Sequence, residues 1–364
     1  MGKTDQIRLK DIAAEAKVSI PTVSRFLNGT TIRPDAEERI KKVLKTKNWS
    51  RYSTFRLEQK MSDAPHVIAM IVPDIQHNYY STIVAGTLEE AQKRNLTIML
   101  ASCEGSYSKE CELLAQFAKS HIDGLIYVPV ASWSCAIPQE ISLFDSLPLV
   151  VAARRAVLKG RPHVYTDNIS GGYLATRYML NLGHRRIGFI VGTWEYPFGN
   201  TDLRELVRDE TKLGGFASLD RLRGYLKAME EYKVPYNPDL VTVSHWSFEG
   251  GKSGMAELMG RTTDIDAVIA TSDTMASGVI DTLKTHGFSI PEDISVLGWD
   301  NSELSRFTDP QLTSVGQPSK QMGRNALNMV ADLAEGKKVN DIVYEVNIVP
   351  RASTSIRRLT SQPS

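Results

Sequence analysis

The chain has 364 residues, 42% of them hydrophobic, which is too long for one helical module and apolar enough to fill several cores. The net charge of +1 hides an uneven distribution: residues 1–60 carry 14 Lys and Arg against 7 Asp and Glu, and the remainder carries 29 against 35. The opening MGKTDQIRLK has no apolar signal core, no run approaches the roughly 18 apolar residues of a membrane span, and Cys103, Cys111 and Cys135 have neither CxxC nor Cys/His zinc spacing. Neither a secreted disulfide scaffold nor a membrane protein is expected, and the expectation is a cytoplasmic chain with free thiols whose basic head binds a polyanion.

In chain order, the first organised stretch is residues 9–28. Leu9, Ile12, Ala13 and Ala16 recur at helical spacing, and Val23, Phe26 and Leu27 resume the pattern after a break at residues 17–19. Two short helices joined by a tight turn follow from this spacing. Ser19 suits the N-cap of the second helix, and Pro21 falls in its first turn, where a missing N–H is tolerated. That helix presents Ile20, Pro21, Thr22 and Arg25 outward while Val23, Phe26 and Leu27 face the first helix, the arrangement of a helix-turn-helix. Within residues 31–49 the spacing predicts a third helix with Pro34 early in it. Its outer Arg39, Lys41, Lys42, Lys45 and Lys47 read equally as a solvated face or as phosphate contacts.

Residues 50–65 read as a linker, polar and closed by Asp63, Ala64 and Pro65. Beyond it the pattern changes. Apolar runs at 67–72, 97–101, 125–128, 149–152, 187–191, 268–270 and 296–297 alternate with amphipathic helices such as 82–94, 109–120, 172–182, 221–232 and 273–286. Buried runs alternating with helices imply parallel sheets covered on both faces. About 300 residues of this pattern imply two lobes, with a ligand cleft at the carboxyl ends of the strands. The expected division is therefore 1–49, a helix-turn-helix headpiece; 50–65, a hinge or linker; and 66–364, a two-lobed doubly wound α/β domain for effector binding and dimerisation.

The run from Lys10 to Ala13, Val18-Ser19, and Thr22 through Asn28 resembles the headpiece of the LacI/GalR family of bacterial transcriptional regulators. The body resembles that family's periplasmic-binding-protein-like domain in Val72-Pro73-Asp74-Ile75, Asp123-Gly124-Leu125-Ile126, the run from Leu182 to Gly188, the run from Arg221 to Tyr225, the run from Pro291 to Asp300, and the run from Pro310 to Val315. Only the linker and residues 193–219 stray from the pattern. The resemblance implies a homodimeric repressor, acting on a pseudo-palindromic double-stranded DNA operator and modulated by a small effector. It lays the second helix in the major groove, with Ile20, Pro21, Thr22, Ser24, Arg25 and Asn28 against bases and phosphates. It also implies effector contacts from Tyr79, Arg154, Arg221, Trp246, Ser272 and Asp300, and no metal or cofactor. Three departures stand out: Lys17 occupies a turn position where the family has Gly, Glu58 stands where a minor-groove-wedging Leu is expected, and Ala153 replaces a hydroxyl-binding Asp.

Vicinal hydroxyls call for forked hydrogen-bond partners, and the C–H edges of a sugar call for an aromatic face. Asp300 and Arg221 supply the first, Tyr79 and Trp246 the second. With an acidic clamp lost at Ala153, Arg154 and Arg221 favour a sugar acid or sugar phosphate over a neutral sugar, unless Asp300 already pairs with Arg221. Arg154 and Arg155 are both candidates for that role or for a surface ion pair. Enzyme readings find no support: Gly250, Gly251, Lys252 and Ser253 mimic a phosphate loop, but its first Gly falls on Trp246, and no GxSxG, HExxH or GxGxxG occurs. A solute-binding protein for a transporter is the rival, disfavoured by the basic headpiece.

Overall fold

The computed structural model of the chain describes residues 9–27, 32–46, 66–130, 138–155, 158–194, 203, 207 and 216–357. Asn28 and the expected hinge lie outside the described residues. The main division of contacts falls between His66 and Val67.

The N-terminal unit holds α1 (Leu9–Ala16), α2 (Ile20–Leu27) and α3 (Pro34–Thr46). Its core is Ile12, Ala13, Ala16, Val23, Ile40 and Val43, with Leu9, Val18, Phe26, Ile32 and Leu44 packed around it. The turn after α1 is a Schellman cap: Val18 N–H donates to Ala13 O at 2.9 Å and Lys17 N–H to Ala14 O at 3.3 Å. Lys17 has φ +52°, the left-handed conformation expected at this turn, held by a residue with a Cβ. Ser19 Oγ accepts from Thr22 N–H at 3.3 Å, as an N-cap does.

The second unit contains two six-stranded sheets. The first has the order β11-β5-β4-β3-β1-β2, from β1 (Val67–Val72), β2 (Thr97–Ser102), β3 (Gly124–Tyr127), β4 (Leu149–Ala152), β5 (His163–Thr166) and β11 (Ile342–Tyr344). Against it pack α4 (Asn78–Lys93), α5 (Tyr107–Phe117) and α11 (Ser319–Ala334). The second sheet has the order β12-β10-β9-β8-β6-β7, from β6 (Ile187–Thr193), β7 (Val241–His245), β8 (Ala267–Ala270), β9 (Ser295–Asp300), β10 (Thr313–Gly316) and β12 (Asn347–Val349). Its helices are α6 (Asn168–Asn181), α7 (Ala217–Glu231), α8 (Phe248–Arg261) and α9 (Asp273–Thr285), with α10 (Leu304–Phe307) after β9. The chain passes between the lobes three times, after β5, after β10 and after β11, so the two sheets share a waist of three strands of backbone.

Two expectations need correction. The sheets are not wholly parallel, because β12 runs antiparallel to β10, pairing Ser314 with Val349 and Gly316 with Asn347. The strand enters from the first lobe two residues after β11 and takes the edge of the second sheet beside β10. Helices α4, α5 and α6 also begin earlier than expected, at Asn78, Tyr107 and Asn168, since His77, Ser106 and Asp167 cap them upstream of their apolar runs, whereas α9 begins at Asp273 as expected. Strands β5, β7, β10, β11 and β12 escaped the apolar-run criterion because they are short or carry Thr, Ser and His among their few apolar residues.

Candidate effector cleft and reading helix

The carboxyl ends of strands from both sheets converge on one cleft, as expected for doubly wound sheets. It is lined by residues at or just after the carboxyl ends of β1, β4, β6, β7 and β9, together with the start of α7. From the first lobe come His77, Tyr79, Tyr80, Ala153 and Arg154; from the second come Trp194, Phe216, Ser218, Arg221, Trp246 and Asp300, among others.

Arg221 is 4% exposed and rigidly held. Its Nε donates to Asn168 Oδ1 at 2.8 Å, its Nη1 donates to the Thr271 carbonyl, and its guanidinium lies over Trp299, 4.2 Å from the ring centroid. Burial lowers its pKa, partly countered by Asp300 and set further down by Arg154. Asp300 has φ +105°, a conformation that L side chains rarely adopt, and Oδ1 accepts from Gln317 Nε2 at 2.7 Å. Burial, with Asp273 nearby, pushes its carboxyl well above the usual carboxylate range, and Arg221 only partly offsets this through space. Gln317 Oε1 in turn accepts from Thr166 Oγ1 at 2.6 Å, so the cleft carboxyl is wired to two of the inter-lobe crossings.

Aromatic rings make the walls. His77 stands edge-on to Trp194 and Trp246, with centroids 6.0 and 5.9 Å away, and Tyr79 meets Tyr80 at 5.2 Å. Arg154 lies 5.1 Å from the centroid of Phe216. Its neighbour Arg155 turns away and grips Asp220 in a fork, Nε at 2.7 Å and Nη2 at 2.9 Å. The alternative left open by the sequence is thus decided: Arg154 lines the cleft and Arg155 is an ion-pair residue.

In the N-terminal unit, α2 turns Ile20, Pro21 and Arg25 to solvent and leaves Thr22 and Ser24 half-buried, while Val23 is fully buried. On α3, Arg39 pairs with Asp35 at 3.0 Å and Lys41 with Glu37 at 2.6 Å, so part of its basic face is matched within the helix.

Residues 8–51 match the family model described as bacterial regulatory proteins, lacI family, and residues 176–354 match a periplasmic binding protein-like domain. The HTH-type transcriptional repressor PurR of Pasteurella multocida is 30% identical over 352 residues, 96% of this chain and 99% of that protein. The chain belongs to the lacI family. The ribose operon repressor of Haemophilus influenzae is 28% identical, over 95% of this chain and 98% of its own. Among solved structures, the transcriptional regulator CelR–cellobiose complex superposes with a TM-score of 0.67 at 27% identity, covering 95% of this chain and 99% of that one. A ribose-bound family regulator from Enterococcus faecium gives 0.66 at 25% identity, covering 80% and 100%.

Of the six residues that the family resemblance pointed to at the effector, the fold brings five into one cleft: Tyr79, Arg154, Arg221, Trp246 and Asp300. Ser272 is not among the lining residues. It is fully buried and its Oγ caps α9, accepting from Met275 N–H at 3.1 Å. The phosphate-loop mimic is resolved in the same manner: Gly250 and Gly251 pack against the carbonyls of His245 and Met275, and Lys252 pairs with Asp281 at 3.2 Å. Sequence reasoning missed His77, Tyr80, Trp194 and Phe216. The signal for Trp194 was present, since it directly follows a buried strand whose end faces the cleft; Phe216 lay in the stretch that strays from the lacI-family pattern.

Proposed function

We propose that this lacI-family protein is a sequence-specific transcriptional repressor whose operator affinity is set by a small sugar-like effector held between its two lobes. The observation that carries the reading is the union, in one chain, of a helix-turn-helix with an exposed reading edge and a cleft combining aromatic walls with Arg221 and Asp300. Residues 1–49 act as headpiece, 50–65 as hinge and 66–364 as the effector and dimerisation domain. Ile20, Pro21, Thr22, Ser24, Arg25 and Asn28 face the operator. The protein works as a cytoplasmic homodimer and binds its ligand without transforming it; its relatives are regulators, and two of the matching structures hold cellobiose or ribose.

Effector binding changes operator affinity by coupling. A ligand that bridges the lobes alters their angle, and the Asp300–Gln317–Thr166 chain of hydrogen bonds carries the cleft's state to the crossings about which the lobes turn. The test is an electrophoretic mobility shift with DNA from the protein's own upstream region. Arg25→Ala and Thr22→Ala are each expected to weaken specific binding by about 1–3 kcal/mol while non-specific binding changes far less. An unchanged footprint and affinity in both variants would remove α2 from the reading role. Light scattering at micromolar concentration is expected to give a dimer, and a monomer would contradict the pseudo-palindromic operator.

A further inference from the structure

Arg154 is 93% buried by its 7% exposure, yet among the described residues it has neither an ion pair nor a hydrogen bond; its only described contact of this kind is the Phe216 ring. A guanidinium in that position is incomplete, because a buried cation is ordinarily matched by an anion. Arg221, which shares the cleft, adds a second positive charge, and Asp300 is directed to Gln317 and held toward its neutral form by burial.

Two further donors converge on the same space. The first is His77, also 7% exposed. Its Nδ1 accepts the backbone N–H of Tyr79 at 3.3 Å as the N-cap of α4, which assigns the proton of the neutral ring to Nε2. Nε2 is buried and has no partner among the described residues, so it is a donor waiting for an acceptor. The second is the amino end of α7, a helix of 15 residues capped by no side chain. Its first residues Ala217 and Ser218 line the cleft, the Ser218 hydroxyl is turned to Gly192 O at 2.7 Å, and the first-turn N–H groups carry the positive end of the helix dipole. Phe216, over which Arg154 sits, is the N-cap residue itself.

We propose that Arg154, His77 Nε2–H and the uncapped amino end of α7 form an anion subsite, and that the effector is a ring compound carrying a carboxylate or phosphate which enters it. This rests on the reading of the cleft as an effector site. The donors come from both lobes, His77 and Arg154 from the first and α7 from the second, so an anion there ties the lobes together. A neutral sugar satisfies the hydrogen bonds but leaves the charge of Arg154 unmatched. The rings of Trp194, Trp246 and Tyr80 then face the remainder of the ligand.

The experiment uses the full chain and simple ions. Inorganic phosphate and, separately, acetate replace chloride at constant ionic strength, and intrinsic tryptophan fluorescence is followed, Trp194 and Trp246 being in the cleft wall. Wild type is expected to respond saturably to at least one ion; stronger binding of phosphate identifies a phosphate-bearing effector and stronger binding of acetate a carboxylate. Arg154→Met should weaken that response about tenfold or more, with Arg154→Gln as a second variant should the first fail to fold. His77→Asn keeps a good N-cap but removes the Nε2 donor, and should weaken the response severalfold. Phosphate held only by the basic headpiece would titrate alike in wild type and the Arg154 variants, and that result, or no saturable response in wild type, overturns the proposal. The operator shift is scored without added anion, so either reading can fail while the other stands.

Discussion

His77 works through both ring nitrogens, and its protonation state is fixed by where it sits. Burial, followed by the charge of Arg221 and the ring of His245, lowers its pKa from 6.5 to about 4. The folded state therefore holds fewer protons at this residue than the unfolded chain between those values, so its contribution is complete above about pH 6.5 and is lost as pH falls toward 4. Between pH 7 and 4.5 this amounts to about 2 kcal/mol. Urea unfolding at the two pH values should show wild type losing that much more stability than His77→Asn; equal losses would mean that the ring is solvated in solution. Lys17 gives a prediction of the opposite sign. Its φ of +52° costs a residue with a Cβ, whereas glycine adopts it freely, so Lys17→Gly should stabilise the N-terminal unit by about 1 kcal/mol in thermal unfolding of that unit.

At the scale of elements, the lobes are held by helix pairs that cross with their backbones in contact. α4 and α11 meet at Gly86 and Gly323, α6 and α7 at Gly172 and Gly224, and α8 and α9 at Gly251 and Gly278. A Cβ on Gly323 would stand 1.9 Å from the Ile83 carbonyl oxygen, and one on Gly224 would stand 2.1 Å from that of Ile169. Neither neighbour is the flexible end of a side chain, so accommodation requires the helices to part. Gly323→Ala should cost about 3 kcal/mol or more in denaturant unfolding, while Gly260→Ala, with nothing within 4 Å, should be neutral or slightly stabilising. Similar losses at both positions would refute close helix crossing as the reason for Gly323. The α6–α7 crossing matters to function as well, since it anchors the helix that bears Arg221 and whose amino end lies at the cleft.

For the whole molecule, the concentration of positive charge in residues 1–60 predicts operator binding that falls steeply with salt, because each neutralised phosphate releases counterions. The pairs that Arg39 and Lys41 make on α3 are exposed and weak, so they leave both cations able to meet phosphates. Removing residues 1–66 should abolish the mobility shift while leaving the fluorescence response to anions intact. A truncated protein that still shifted DNA would move the binding function into the α/β unit.

The sequence by itself determined the order and kind of these parts: a helical pair with a Ser19 cap, then strands and helices in alternation, with Asp300 and Arg221 in recognisable motifs. Periodicity, capping and strand burial are local properties, readable within a window of a dozen residues. The resemblance nominated Arg154, but nothing local to the sequence explained why its neighbour Arg155 should turn away, because that depends on Asp220, a residue 65 positions distant that captures Arg155. Nor could the sequence nominate His77, whose Nε2 is buried with no partner among the described residues, or the amino end of α7, whose place in the cleft wall depends on the packing of distant segments. Ser272 carries the same lesson in reverse: its motif position matched, but its hydroxyl is committed to Met275 N–H. Only the tertiary structure decided these points, since the partner of a buried polar group is set by contacts between distant segments and not by the residue's own neighbours in the chain.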